Sequence, residues 1–145
     1  MSTYQPERLS ARSVNITSRF RQTNAVVASP SGATETIIAS LTLPGNVQAF
    51  TGIELRGWAA FTVGTNGVSG QLRIRQTNAA GQIIADSGAL TAVATNLYAS
   101  SVVGANLNTD ATPPVSGGVY VLTLTVASGS AASTVSAVYL SAVVI

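Results

Sequence analysis

The chain has 145 residues, the length of one ordinary domain, and is 46% apolar but only 8% charged, against a usual charged share near ~25%. Histidine and cysteine are absent and all seven cations are arginine, which removes the usual general base, thiol nucleophiles, disulfides, the commonest zinc ligands, Schiff-base lysines and the lysine of a phosphate-binding loop. The net charge of +2 reflects few carboxylates rather than a basic surface, so neither an enzyme, a cofactor nor a nucleic-acid partner is expected.

In chain order, the opening MSTYQPERLSAR has no apolar stretch of the secretory kind. Pro6 interrupts any strand there, and Arg8 and Arg12 outnumber Glu7. Residues 1–12 are therefore expected to form a polar arm, with 13–145 a single β-sandwich domain. No later run approaches the ~18 to 20 apolar residues of a membrane helix, so no membrane partner is expected.

Helical periodicity is lacking, whereas apolar and polar residues alternate between clusters of Gly, Asn, Ser and Pro, the pattern of short strands and turns. Val14, Ile16 and Phe20 alternate with Asn15, Thr17, Arg19 and Arg21 in a first strand, 13–22. Ile37, Ala39, Leu41 and Leu43 share one face of a second, closed by Pro44 and Gly45. In a third, Ile53, Leu55, Ala59, Phe61 and Val63 lie on one face and Glu54, Arg56, Trp58 and Thr62 on the other. Gly64, Asn66 and Gly67 turn the chain into a fourth strand carrying Leu72 and Ile74, and Asn78 to Gly81 turns it into a short fifth, 82–86. A sixth runs near 97–103, followed by a crossing loop, 104–118, in which Pro113 and Pro114 disfavour a central strand. VYVLTLTVA and TVSAVYLSAVVI supply the seventh and eighth strands, separated by Ser128, Gly129 and Ser130. Eight strands in this length predict an all-β, eight-stranded jelly-roll-like sandwich.

Few residues gather into chemistry. Asn106, Asn108 and Asp110 have the alternate spacing that opens a calcium loop, but Ala111 and Gly117 stand where such a loop needs glycine and glutamate, so Asx turns are the expected use of these side chains. Gly64, Gly67 and Gly70 do not make a dinucleotide fingerprint. The five carboxylates, Glu7, Glu35, Glu54, Asp86 and Asp110, are scattered over separate elements, unlike a local acid–base pair. Asn15-Ile16-Thr17 matches a glycosylation sequon but reads as strand.

Two features point to contact surfaces instead. Trp58 falls beside Arg56 on the polar face of its strand, where a large aromatic suits an interface anchor. The last strand is apolar on both faces, with Val138, Leu140 and Val144 on one of them. A half-buried antiparallel strand should alternate, so a second copy is expected to cover one face, with Trp58, Arg56, Val138, Leu140 and Val144 as interface residues.

The stretches LRIRQTNAAGQIIADSG, NLNTDATPP and GVYVLTLTVASGSAASTVSAVYLSAVVI resemble the small jelly-roll or TNF-like structural proteins of tailed bacteriophages. That resemblance, over roughly residues 35–145, implies a homotrimer serving as a capsid decoration protein, its partners being its own copies and the major capsid protein, its location the outer capsid surface. It also implies that the N-terminal segment reaches a neighbouring capsomer, with Tyr4, Arg8, Leu9, Arg12, Arg19 and Arg21 as contacts. Related domains in phage tails imply a receptor- or carbohydrate-binding alternative, and a jelly-roll capsid protein is another. With no histidine to titrate near its usual pKa of ~6.5, the melting midpoint is expected to hold steady between pH ~5.5 and ~8, as thermal scans across that range will show.

Overall fold

A computed structural model describes residues 19–24, 34–45, 51–62, 68–92, 97–126 and 134–145. The expected arm 1–12, the Asn15 sequon and the turns at Gly64–Gly67 and Ser128–Ser130 lie outside the described residues.

Among the described residues nine strand segments occur in chain order: β1 (Arg19–Asn24), β2 (Thr36–Thr42), β3 (Gly52–Thr62), β4 (Val68–Gln76), β5 (Ile83–Asp86), β6 (Leu90–Ala92), β7 (Leu97–Leu107), β8 (Val119–Val126) and β9 (Thr134–Val144). The pairing has a simple origin. At Thr77–Gln82 the chain doubles back: Gln76 N–H donates to the Gln82 carbonyl at 3.0 Å, the Asn78 carboxamide accepts from Ala80 N–H at 2.8 Å, and Thr77 adopts a φ of 73°. From there each strand pairs antiparallel with its counterpart on the returning half, β4 with β5 and β6, β3 with β7, β2 with β8 and β1 with β9. Rolling this long antiparallel ribbon brings β3 against β9 and β4 against β8. The outcome is one sheet in the order β1-β9-β3-β7 and another in the order β2-β8-β4-β5, with β6 beside β4, the arrangement of a jelly roll.

β5 falls within the expected fifth strand, 82–86, whereas β6 lies outside the expected strands and continues along the same edge of β4 after a break. The break falls at Ser87, whose N–H donates to the Leu72 carbonyl at 2.9 Å while its Oγ accepts from Leu72 N–H at 3.0 Å, so the side chain substitutes for a ladder carbonyl. With β5 and β6 counted as one interrupted strand along β4, the described residues hold eight strands, the number expected, although β6 is not among those the alternation predicts. Two expectations need correction. β7 runs on to Leu107, shortening the crossing loop to residues 108–118, because its inward residues Val102 and Asn106 are buried and keep it in the sheet. In β2 the pairing with β8 shifts register between Ile37 and Ala39, so Ile38 enters the core at 1% exposure and Ile37 is left outside at 44%.

The core lies between the sheets. Ile53, Leu55, Ala59, Phe61, Leu140, Ala142 and Val144 from the first meet Ile38, Leu41, Leu72, Ile74, Tyr120, Leu122 and Leu124 from the second. Gly57 occupies the middle of β3 on the inward face, where a Cβ would come within 2.6 Å of Leu122 Cδ1 and 3.2 Å of Val102 Cγ1. Gly104 does the same at the open side of the roll, where a Cβ would meet the Ile84 carbonyl oxygen of β5 at 2.5 Å. Both glycines set how closely the two sheets approach. Gly57→Val is expected to overpack this contact and lower stability by about 1 to 3 kcal/mol, whereas Leu122→Ala empties it and costs about 2 to 5 kcal/mol; chemical denaturation of the two variants measures both.

Candidate functional site on two unlike outer faces

The outward face of the five-stranded sheet holds four charged residues, Glu35, Arg73, Arg75 and Asp86, and all four are mutually engaged. Glu35, just before β2, accepts from Arg75 through Nε at 2.6 Å and Nη2 at 2.8 Å, and from the Thr123 hydroxyl at 2.5 Å. Arg73 donates to Asp86 at 2.8 Å and more loosely to Glu35 at 3.4 Å. Gln71 and the Gly88 N–H complete the Asp86 shell at 2.7 and 2.8 Å, and Arg75 also reaches the Gly81 carbonyl at 2.8 Å. This ladder ties the start of β2 to β4, β5 and the midpoint turn.

Its electrostatics run against acid–base chemistry. Burial works against the charge of Glu35, but the hydrogen bonds from Arg75 and Thr123 and the fields of both guanidiniums outweigh it, leaving the pKa below the ordinary carboxylate value. Asp86 is held down to about 2, chiefly by the hydrogen bond from Arg73. Both are carboxylates at neutral pH, so neither is poised as a general acid. Of the other described carboxylates, Glu54 pairs with Arg56 at 2.8 Å on the opposite sheet, and Asp110 accepts from Leu107 N–H at 2.7 Å.

That last bond settles how the Asn/Asp loop uses its oxygens. Asn106 is fully buried, and with its amide oriented so that Oδ1 accepts from the Tyr120 hydroxyl at 2.8 Å, Nδ2 donates to the Thr112 carbonyl and to Asp110 Oδ2, both at 3.1 Å. Burial raises the Tyr120 pKa, and the Asp110 charge adds to the shift. Asn106 and Asp110 are thus engaged within the protein, as expected, but by bonds to Leu107, Thr112 and Tyr120 that staple the loop to β8 and not by Asx turns.

The outward face of the four-stranded sheet differs in kind. Trp58 stands outward as its alternation predicts, 37% exposed, with Tyr139 opposite it on β9 and Ser101 opposite it on β7. Val103, 61% exposed, lies opposite Arg56, and Leu97, 66% exposed, ends the same outward row of β7. Half-buried Ala137, Tyr139 and Val143 form the outward side of β9. The Glu54–Arg56 ion pair is the charge that β3 contributes here.

The expected interface set divides accordingly. Trp58 and Arg56 are on the surface as expected, but Val138, Leu140 and Val144 are 4%, 0% and 2% exposed and belong to the core. The physical reason is the position of β9 between β1 and β3: one of its two apolar faces fills the sandwich, and it is the other, with Tyr139 and Val143, that looks outward. Arg19 and Arg21 lie in β1, in register with Val143 and Ser141, rather than in a free arm. Tyr4, Arg8, Leu9 and Arg12 fall outside the described residues. Tyr139, Val103 and Leu97 were not singled out by sequence reasoning; the signal available was the alternation of LYASSVVGANL, which places Leu97 and Val103 on one side of β7.

No family model and no curated protein matches the chain. Solved structures do. It is similar to the chain forming T=1 particles of infectious bursal disease virus (TM-score 0.63, 10% identity, 88% of this chain and 31% of that one) and to the VP2 subviral particle of the same virus (0.58, 12%, 88% and 32%). It is also similar to the TNF protein Eiger of S. frugiperda (0.51, 11%, 88% and 91%). The chain thus spans about a third of the viral chains. What is shared at such identities is the fold: an all-β, jelly-roll sandwich.

The ladder makes a pH prediction. Because the folded pKa values of Asp86 and Glu35 lie below their unfolded values, their contribution is complete above pH ~4 to 4.5 and is lost as the pH falls through the folded values, toward about 2 for Asp86. Melting midpoints should fall between pH ~4.5 and 2, and Asp86→Asn should make that fall shallower while lowering the midpoint at pH 7.

Proposed function

We propose that this protein is a structural component of a virion, a homotrimer that binds the outside of a bacteriophage head and stabilises it by adhesion rather than chemistry. One observation carries the reading. The two outer faces are unequally equipped, one with its charges consumed internally and the other presenting Trp58, Tyr139, Val143, Val103 and Leu97 on β3, β7 and β9, three strands whose only charges are the paired Glu54 and Arg56. Covering such a face stabilises an assembly by about 25 cal/mol per Å2 of apolar area removed from water, and several subunit contacts made together add avidity on a repeating surface. The jelly-roll fold it has in common with viral particle proteins supports a virion role, and the lowered carboxylate pKa values support a non-enzymatic one.

In this scheme the Trp58 face joins the subunits, and the N-terminal segment, with Tyr4, Arg8, Leu9 and Arg12, meets the capsid protein. A receptor-binding or carbohydrate-binding module of a phage tail is the second reading, favoured by the exposed indole of Trp58 next to Arg56 and Glu54. Sedimentation equilibrium is expected to give a trimer that Trp58→Ala weakens. Deleting residues 1–12 should leave that trimer intact while weakening binding to purified phage heads at least tenfold, about 1.4 kcal/mol. A stable monomer, or full-strength head binding by the truncated chain, overturns the respective assignment, and binding to glycans but not heads favours the tail module.

A further inference from the structure

A sheet edge invites another strand unless something blocks it, the usual devices being charge, short length, bulges and proline. Among the described residues the two sheets have four edges, and three carry such a device. β1 bears Arg19 and Arg21 within six residues. β2 is broken in register between Ile37 and Ala39. The β5 and β6 edge consists of segments of four and three residues, with Asp86 and a register shift between Ile74 and Arg75. β7 has none of them. It is eleven residues long, LYASSVVGANL, without a charge or a proline, and its register with β3 is unbroken from Leu97 to Leu107. No further strand lies beyond it among the described residues.

We infer that the edge of β7 is a docking edge for a second copy of this chain, the two β7 strands pairing antiparallel across a two-fold axis at Ser101. The symmetry follows from the sequence of the edge. Its outward residues, Leu97, Ala99, Ser101, Val103 and Ala105, are all exposed and are centred on Ser101. Antiparallel self-pairing then sets Ser101 against Ser101 of the partner subunit, Val103 against the partner's Ala99, and Leu97 against the partner's Ala105. Large residues meet small ones, and two hydroxyls meet at the axis, a favourable cross-strand combination.

The neighbouring rows agree. Trp58 is in register with Ser101, so each copy brings an indole beside the small central pair and the exposed aromatic stripe continues across the junction. Arg56 and Glu54 are in register with Val103 and Ala105, whereas Ala60 and Thr62 are in register with Ala99 and Leu97. Each charged position of one copy is thereby aligned with an uncharged row of the other, and no like charges meet. On the inner side, β5 approaches at Gly104, leaving the outward row to the second copy. Such an isologous contact closes on itself, uniting two four-stranded sheets into one of eight strands.

This contact uses the edge of β7 and would join the proposed trimers in pairs; because Ser101 also stands beside Trp58, it is recovery on mixing opposite charges, and not loss of mass alone, that identifies it. The test is analytical ultracentrifugation of the full chain over a series reaching millimolar concentration, with Ser101→Lys and Ser101→Glu alone and mixed, and circular dichroism to verify folding. The expected result is a hexamer for the natural chain, smaller species for each variant alone, and recovery of the larger species on mixing, because opposite charges then face each other at the axis. If the natural chain is a dimer that Ser101→Lys converts to monomer, the β7 contact stands and the trimer falls. If the mass of the natural chain is unchanged by either substitution, or grows without limit, the inference is overturned.

Discussion

A chain that doubles back at its midpoint must bring each strand beside its mirror counterpart, and the long ribbon so formed has one apolar side that water drives inward. Rolling is the way to bury that side without leaving a flat sheet exposed. The turn at Thr77–Gln82 and the inward rows of β3, β4, β8 and β9 therefore underlie every other contact: the two sheets, the cross-sheet approach of Gly57 to Leu122, and the central position of β9.

The scarcity of charge is what gives the two outer surfaces their separate characters. Arg73 and Arg75 on β4, with Glu35 and Asp86 on adjacent elements, form a connected set in which each group has a partner, and the depressed carboxylate pKa values are the thermodynamic record of that pairing. On the other sheet the charges are the Glu54–Arg56 pair of β3 and Arg19 and Arg21 of edge strand β1, and β7 and β9 carry none. An aromatic and apolar surface on one side and a saturated polar one on the other is the contrast on which the proposed assembly rests, and a similar contrast separates three guarded sheet edges from the unguarded edge of β7.

The shared fold with viral particle proteins and with a TNF protein needs this kind of local argument beside it. A jelly roll serves unrelated roles, since it is a way of burying antiparallel strands rather than a site. What distinguishes this chain within that architecture is where Trp58, Tyr139 and the row from Leu97 to Ala105 stand.

Much of this was legible in the sequence, because strands with a two-residue period announce their own faces. The alternation of residues 53–61 assigned Ile53, Leu55, Ala59 and Phe61 to the core and Trp58 to the surface, and the turn at Asn78–Gly81, with its Asx bond from Ala80 N–H, followed from local chemistry. Tertiary structure decided the rest, for reasons no local pattern contains. The inward side of β9 cannot be chosen from a strand apolar on both faces; burial against the second sheet selects Val138, Leu140 and Val144. The bulge that exchanges Ile37 for Ile38 arises from pairing with β8, more than eighty positions away. The joining of Glu35 to Arg75 and Thr123 likewise depends on the roll, since forty and eighty-eight residues separate Glu35 from those partners, and only the rolled ribbon sets them side by side.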